Sequence, residues 1–159
     1  MAGFFYFSSV KITWVFKDFS KLSIEEMYEV MQLRQEVFIV EQDCPYLDAD
    51  GKDKQSHHLL GYDTEGVLVA YLRLLPPGVS YSEISLGRIV TSTKYRGKGI
   101  GKMLMKQGIN ESELLYGKVS IRISAQSYLI PFYRAFGFEI IGSEYLEDNI
   151  PHTEMLRSQ

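Results

Sequence analysis

The segment from Ile89 to Gly101 combines glycines and basic side chains in a spacing that suits a phosphorylated ligand. Gly97, Gly99 and Gly101 occupy alternate positions, and glycine lets the backbone approach a ligand closely and take up positive φ. The helix predicted to follow offers free N–H groups and the positive end of its dipole, which bind phosphate readily. Full charges are added by Arg96, Lys98 and Lys102. The turn therefore predicts a phosphate site, in particular a pyrophosphate site.

Two common phosphate-binding motifs do not fit this segment. The Walker loop needs glycine five residues before its Gly-Lys pair and Ser or Thr after it, but Arg96 and Met103 stand there. The dinucleotide fingerprint G-x-G-x-x-G needs glycine at 102 or 104, but these positions hold Lys102 and Leu104. The sequence therefore disfavours both a Walker-type nucleotidase and a Rossmann-type dehydrogenase.

The net charge of −3 separates into a basic island and an acidic remainder. Residues 84–110 contain six Lys or Arg and no Asp or Glu, whereas the rest of the chain sums to −9. A positive island in an acidic protein favours one anionic ligand at one place, and the acidic balance disfavours nucleic-acid binding. The alternative for the island is a basic helix face in solvent.

The length of 159 residues fits one domain, which we expect to span residues 11–159. Residues 1–10 are apolar and aromatic and predict an N-terminal extension or an extra strand. A single cysteine, Cys44, cannot form an intramolecular disulfide, which favours a reducing, cytoplasmic location. We predict no membrane association, because no stretch approaches the ~20 apolar residues of a membrane span and no secretory signal is recognisable.

The apolar periodicity predicts an α+β domain with a mixed sheet. Strands are predicted at residues 11–19, 57–62, 67–75, 85–91, 119–125, 138–141 and 152–156. Helices are predicted from Ser23 to about Val40, at 100–113 and at 129–136. Ser23 and Glu26 have the spacing of a capping box, and Gly137 suits the end of the last helix.

Two motifs resemble the acetyl-CoA signatures of the GNAT superfamily of N-acetyltransferases. Arg96-Gly-Lys-Gly-Ile-Gly101 fits the pattern Arg/Gln-x-x-Gly-x-Gly/Ala, and Tyr133-Arg-Ala-Phe-Gly-Phe138 fits Tyr-x-x-x-Gly-Phe. Further segments are similar to the ElaA-like branch, namely Val40-Glu-Gln-x-Cys44-Pro-Tyr46-x-Asp48-x-Asp50-Gly51 and Ile150-Pro-His152. The resemblance covers nearly the whole chain. It implies the GNAT fold, a central mixed, mostly antiparallel sheet of six to seven strands flanked by about four helices.

The resemblance implies acetyl-CoA as the acetyl donor and assigns residues to its binding. The strand before the glycine turn would separate from its neighbour and hold the pantetheine arm through the backbone of Ile89, Val90 and Thr91. The backbone N–H groups of the turn would bind the pyrophosphate, from residues Arg96, Gly97, Lys98, Gly99, Ile100 and Gly101. Gln126, which stands where many members have Asn, and Phe132 complete the predicted set. The alternative for Ile89 and Val90 is a plain core strand.

Tyr133 stands at the family's general-acid position, from which a phenol can protonate the leaving coenzyme A thiolate. The alternative is an amphipathic core tyrosine. No general base is identifiable: Glu41 and Glu83 are candidates by residue type, and His57 and His58 lie on opposite faces of one strand. We assign Glu41 and His58 to the acceptor site. The acidic loop at 41–53 favours a cationic acceptor such as a polyamine, an amino sugar or a lysine-like amine; the alternative is an acidic loop in solvent.

We therefore predict an acetyl-CoA-dependent N-acetyltransferase that moves the acetyl group to a primary amine by direct attack in a ternary complex. The alternative is a non-catalytic acyl-CoA-binding sensor or regulatory module, which would keep the pyrophosphate turn without turnover. No metal site is predicted, because Asp48-Ala-Asp-Gly51 lacks the glycine and glutamate spacing of an EF-hand. A homodimer is common in the superfamily and stays open.

Overall fold

The strands form one mixed sheet in the computed structural model, which describes residues 10–159. They are β1 Thr13–Asp18, β2 His57–Tyr62, β3 Leu68–Leu75, β4 Ile84–Thr91, β5 Ile121–Gln126, β6 Glu139–Ile140, β7 Tyr145–Glu147 and β8 Ile150–Arg157. The strand order is β1-β2-β3-β4-β5-β8-β6, with β7 also paired to β8. Only β4 and β5 pair in parallel. The predicted α+β class is confirmed, with eight strands among the described residues instead of six or seven.

Three α-helices flank this sheet in the described part of the chain, α1 Ile24–Arg34, α2 Ile100–Tyr116 and α3 Ile130–Arg134. The predicted capping box starts α1: the Ser23 hydroxyl accepts the N–H of Glu26, whose carboxylate accepts the N–H of Ser23. The helix continues directly into a π-helical segment, Gln35–Glu41. These two segments form one continuous helical rod, as the single helix predicted from Ser23 to about Val40; residues 10–159 thus contain three α-helices, where the family resemblance implied about four.

The two faces of the sheet have separate apolar cores. On one face, residues such as Leu72 pack with Leu104 and with Tyr133. On the other face, Val30 packs with Tyr71 of β3. Every residue of β3 is buried, as expected for a strand covered on both sides. α2 and α3 therefore cover one face and α1 the other, so a gap in the sheet can be lined from both sides.

Such a gap opens between β4 and β5. Within residues 10–159 the two strands pair at only two positions, Ile84 with Ile121 and Ser85 with Arg122. β4 continues to Thr91 with β3 as its only strand neighbour. Backbone N–H and C=O groups on its other edge are therefore available to an extended ligand, as the family resemblance predicted.

A β-bulge distorts β4 at the start of this gap. Gly87 pairs with Arg73 and Val90 pairs with Tyr71, so that two residues of β4 occupy the space of one residue of β3. Arg88 lies in the bulge and has a φ of 52°. Bulges turn side chains and backbone groups away from regular pairing, often beside active sites.

Some predicted boundaries differ from those observed. β1 ends at Asp18, whose carboxylate caps the following turn by accepting the N–H of Ser20. α3 is shorter than predicted, since a tight turn at Gly137, with a φ of 85°, follows it. β7 was not predicted, because it has three exposed residues and no clear alternation. Apart from Val10, which packs against the core, the predicted extension or extra strand at 1–10 lies outside the described residues.

Candidate active site

A cavity of about 1140 Å³ lies where β4 and β5 separate. It is lined by β4, the glycine turn, α3, the end of β5, the π-helical segment and the β7–β8 hairpin. The predicted site residues in its wall are Glu41, Ile89, Val90, Thr91, Arg96, Gly97, Gly99, Ile100, Gly101, Gln126, Phe132 and Tyr133. Lys98 and His58 are not part of this wall. Residues far apart in the sequence thus meet around one volume large enough for a cofactor-sized ligand.

Two of the three glycines of the turn have the positive φ that the sequence predicts, whereas Gly101 lies in the first turn of α2 and does not. Gly97 has a φ of 76° and Gly99 a φ of 79°, and Gly99 is the N-cap of α2. The 17-residue α2 directs its free N–H groups and its dipole towards the cavity, and Lys102 also lines the wall. These groups fit the pyrophosphate of acetyl-CoA, because they combine closely approachable backbone donors with positive charge.

Arg96 of this turn forms a bidentate ion pair with Glu41, at the end of the π-helical segment. The distance from Arg96 Nη2 to Glu41 Oε2 is 2.7 Å. The hydrogen bond from Arg96 outweighs burial and lowers the pKa of Glu41. A carboxylate with a lowered pKa is a weak proton acceptor, so Glu41 is poorly suited to the base role, and its place in the acceptor site stays a prediction. Lys98 instead places its ammonium 4.9 Å from the centre of the Tyr95 ring.

Tyr133 lies on α3 and reaches the cavity from the face of the sheet that carries α2. Only 6% of the residue is exposed, and its ring packs edge-on against Phe138. Burial, with a smaller contribution from Tyr128, raises the pKa of Tyr133 above its usual value. The phenol is therefore protonated at neutral pH, as a general acid must be before it reacts.

His58 was placed in the acceptor site from sequence, but the structure places it in the core. It is 0% exposed. Its Nε2 donates to the carbonyl of Asp53 at 2.9 Å, and its Nδ1 accepts from the hydroxyl of Tyr71 at 2.7 Å. Burial lowers the pKa of His58 and keeps it neutral. Both ring nitrogens are thus occupied away from the cavity, and we remove His58 from the acceptor site.

The acidic loop at 41–53 is not free to attract a cation, because most of its carboxylates bind arginines. The buried Arg34 binds Asp48 and Asp53, and Arg73 binds Asp50 and Asp53. Arg88 of the bulge binds Asp48 at 2.7 Å and also reaches Asp50 at 3.4 Å. Three arginines and three aspartates therefore form one network that fixes the loop against β3 and β4.

A further part of the cavity wall is built by the β7–β8 hairpin and the end of β5. Gln126 is hydrogen-bonded to Gln42 through paired side-chain amides, and the Cys44 thiol donates to the carbonyl of Asp148 at 3.3 Å. Glu147 and His152 also line this part of the wall. The sequence pattern indicates no chemical role for His152, which stands only in the family-like segment Ile150-Pro-His152.

Among residues 10–159, no group of three or more His, Cys, Asp or Glu side chains is arranged to hold a metal ion. In the same part of the chain, no helix is both long and apolar enough to cross a membrane.

Comparisons with known proteins agree with this geometry. Residues 15–158 match the family model described as an acetyltransferase (GNAT) domain. The chain therefore belongs to the GNAT acetyltransferase family. Its similarity to Escherichia coli ElaA places it in the ElaA-like branch: the crystal structure of that protein has 35% sequence identity and a TM-score of 0.87, and the match covers 93% of this chain and 100% of that one.

Two further relatives are similarly close. A UPF0039 protein of Synechocystis sp. is 45% identical over 147 residues, which cover 92% of this chain and 96% of the relative. The crystal structure of an acyl-CoA N-acyltransferase from Pseudomonas aeruginosa has 40% identity and a TM-score of 0.89, with 93% of this chain and 100% of that chain covered. The GNAT fold expected from the sequence is confirmed, and the family supports acyltransferase chemistry.

Proposed function

We propose that this protein is an acetyl-CoA-dependent N-acetyltransferase that acetylates a primary amine by direct attack in a ternary complex. The observation that carries the proposal is the separation of β4 from β5 at a cavity with the glycine turn at one end and Tyr133 in its wall. The free edge of β4 supplies backbone groups for the pantetheine arm, and the start of α2 supplies donors for the pyrophosphate.

Each residue of the site has a defined part in the proposed reaction. Backbone groups of Ile89, Val90 and Thr91 hold the thioester in place and polarise its carbonyl. The amine nitrogen forms a bond to the carbonyl carbon and loses one proton, which reaches water. The carbon–sulfur bond breaks with its electron pair moving to sulfur. Tyr133 gives its phenolic proton to the leaving thiolate and afterwards recovers a proton from water.

The acceptor in this proposal is a primary amine. A cationic amine is favoured by Glu147 and not by the aspartates of the acidic loop. The aspartates at 48, 50 and 53 are bound to arginines and contribute little attraction. Glu147, in contrast, lines the cavity, and half of its side chain is exposed. We propose that Glu147 attracts the ammonium form of the acceptor.

Replacing Tyr133 with Phe tests the function and separates it from the sensor alternative. The variant keeps the buried ring, so we expect acetyl-CoA affinity within about twofold of wild type and kcat reduced by about 10²-fold, since a general acid contributes ~10²–10⁴. Calorimetric titration measures the affinity, and thiol release with an amine panel measures kcat. Equal turnover by both proteins would contradict the role of Tyr133, and binding without any turnover by wild type would favour an acyl-CoA sensor.

The proposal also keeps three predictions from the sequence. The catalytic domain spans residues 11–159, the protein acts in the cytoplasm, and it uses no nucleic-acid partner. A homodimer stays a prediction, to be checked by light scattering of the purified protein.

A further inference from the structure

The ring orientation of His152 leaves one nitrogen free to accept a proton. His152 lies on β8, lines the cavity and has a side chain that is only 12% exposed. Its Nδ1 is 2.7 Å from the carbonyl oxygen of Ile150. Since a carbonyl only accepts hydrogen bonds, Nδ1 must carry the proton, and Nε2 of the neutral ring is left with its lone pair. The backbone thus selects the tautomer that a general base needs at Nε2.

His152 and Tyr133 reach the cavity from opposite faces of the sheet. His152 pairs directly with Gln126 across β5 and β8, so that both side chains lie on the same face. Gln126 bonds Gln42, next to the π-helical segment, which identifies this face as the one that carries α1. Tyr133 belongs to the core on the other face. This arrangement suits acyl transfer, because the attacking amine and the leaving sulfur occupy different positions on the carbonyl carbon, so that the base and the acid can approach from different faces of the sheet.

Glu147 is positioned to stabilise the charge that His152 gains on protonation. Its Oε2 is 3.9 Å from His152 Nε2 and 3.1 Å from the Ser124 hydroxyl, which donates to it. The Tyr145 ring stacks on the imidazole at 6.1 Å between centroids. The other titratable groups on elements packed around this ring are Cys44, Tyr81, Arg122, Asp148 and Glu154, and Arg122 is already bound to Glu154.

We infer that His152 is the general base that accepts the proton of the attacking amine, with Glu147 stabilising the resulting imidazolium. The inference rests on the proposed acetyl transfer. As the nitrogen–carbon bond forms, the nitrogen becomes acidic and its proton moves to His152 Nε2. The carbon–sulfur bond breaks, and the sulfur takes the proton of Tyr133. The imidazolium then releases its proton to water, and the Tyr133 phenolate takes up a proton from water. The net products are the amide and free coenzyme A.

The kinetic test replaces His152 with Asn, whose amide nitrogen can still donate to the Ile150 carbonyl where Nδ1 did. The assay uses acetyl-CoA and a saturating concentration of whichever amine the wild type acetylates: spermidine, glucosamine or tyramine. We expect the kcat of the variant to be about 10²-fold lower, since that is the usual contribution of a general base. The pH profile of wild-type kcat should show an acidic limb with a slope of one, and the variant should lack this limb. The Kd for acetyl-CoA should stay within about twofold.

The matched control is His57→Asn, because His57 stacks on Phe16 and is not part of the cavity wall. This control should keep both kcat and the acidic limb. If His152→Asn keeps the acidic limb and a kcat close to wild type, the base assignment is overturned while the acetyltransferase function stands. If wild type releases no thiol with any of the three amines, the proposed function fails and the base role fails with it.

A second measurement needs no substrate. The sequence contains three histidines, so nitrogen-detected NMR of the imidazoles can be assigned by the loss of one signal set in His152→Asn. We expect the neutral His152 ring to be protonated at Nδ1, opposite to His58, whose Nε2 donates to Asp53. Protonation of His152 at Nε2 would overturn the inference.

Discussion

Arg34 has a full charge in a position with no solvent exposure, and four hydrogen bonds explain how the fold tolerates it. They go to the Asp48 carboxylate and carbonyl and to both oxygens of the Asp53 carboxylate. Burial alone would raise the pKa of Asp53, but hydrogen bonds and charge from Arg34 and Arg73 outweigh it and lower that pKa. Asp48 also binds Arg88 in the β4 bulge, so this network connects the core to the wall of the cavity.

Replacing Arg34 with Met should therefore destabilise the protein strongly. Met fills much of the same volume but removes one of the two arginine partners of each buried carboxylate, Asp48 and Asp53, and breaking a buried ion pair costs about 3–5 kcal/mol. Urea unfolding measures the change. The control is Lys17→Met, which breaks the partly exposed pair with Glu26 and should cost less than about 1 kcal/mol. Similar costs for the two variants would show that the Arg34 network is not important for stability.

In the proposed function, the glycine turn and α2 act together as the element that binds the phosphates. Gly99 has a φ of 79°, and a Cβ at that position would meet no atom within 4 Å. A side chain at this position would therefore not clash with a neighbour. Glycine is required by the left-handed backbone conformation, which costs other residues roughly 1 kcal/mol or more. That conformation directs the first N–H groups of α2 into the cavity.

Gly99→Ala should weaken acetyl-CoA binding about tenfold, or ~1.4 kcal/mol, because strain at the turn displaces the pyrophosphate donors. Gly66→Ala is a close control: Gly66 has a φ of 77°, also has no atom within 4 Å of a Cβ, and lies in the β2–β3 turn. Calorimetry should give wild-type affinity for Gly66→Ala, although both variants should lose similar stability. Equal affinities for the two variants would argue against a phosphate site at this turn.

Elements whose signals are local could be predicted from the sequence, and those that depend on distant contacts could not. The capping box at Ser23 and the positive-φ glycines need only a few neighbouring residues, and both appear as expected. The pairing of Arg34 with Asp53 depends on how a loop folds back, and the sequence shows only a buried arginine and an acidic loop. The free Nε2 of His152 depends on one backbone carbonyl, which no side-chain pattern encodes.

At the scale of the whole molecule, the sheet separates two apolar cores. The proposed catalytic groups reach the cavity from both faces of this sheet. α2 and α3 bring the phosphate donors and Tyr133 to one side, and the β7–β8 hairpin brings His152 to the other. Substrates can therefore meet only where β4 and β5 separate. Buried polar groups behind the cavity wall, including His58 and the aspartates of the loop, keep their hydrogen bonds only in their native protonation states.

Stability should therefore decrease on acidification, first through His58. Its folded pKa is lowered by burial, whereas the unfolded value is about 6.5, so below that pH the unfolded chain binds the proton more readily. Thermal unfolding should show full stability above about pH 6.5, a fall towards pH 5, and a further loss below about pH 4 as Asp50 and Asp53 take up protons. His58→Gln should flatten the first part of the profile. Rising stability from pH 7 to 5 would contradict this account.

The most direct test of the proposed function is to follow both products of one reaction. Wild-type protein is mixed with acetyl-CoA and each amine of the panel, free thiol is titrated, and the acetylated amine is identified by mass spectrometry. The proposed function predicts one acetylated amine for each thiol released, with both lost in parallel in Tyr133→Phe. Acetyl-CoA binding without an acetylated amine from any of the candidates, or thiol release without amide formation, would contradict it.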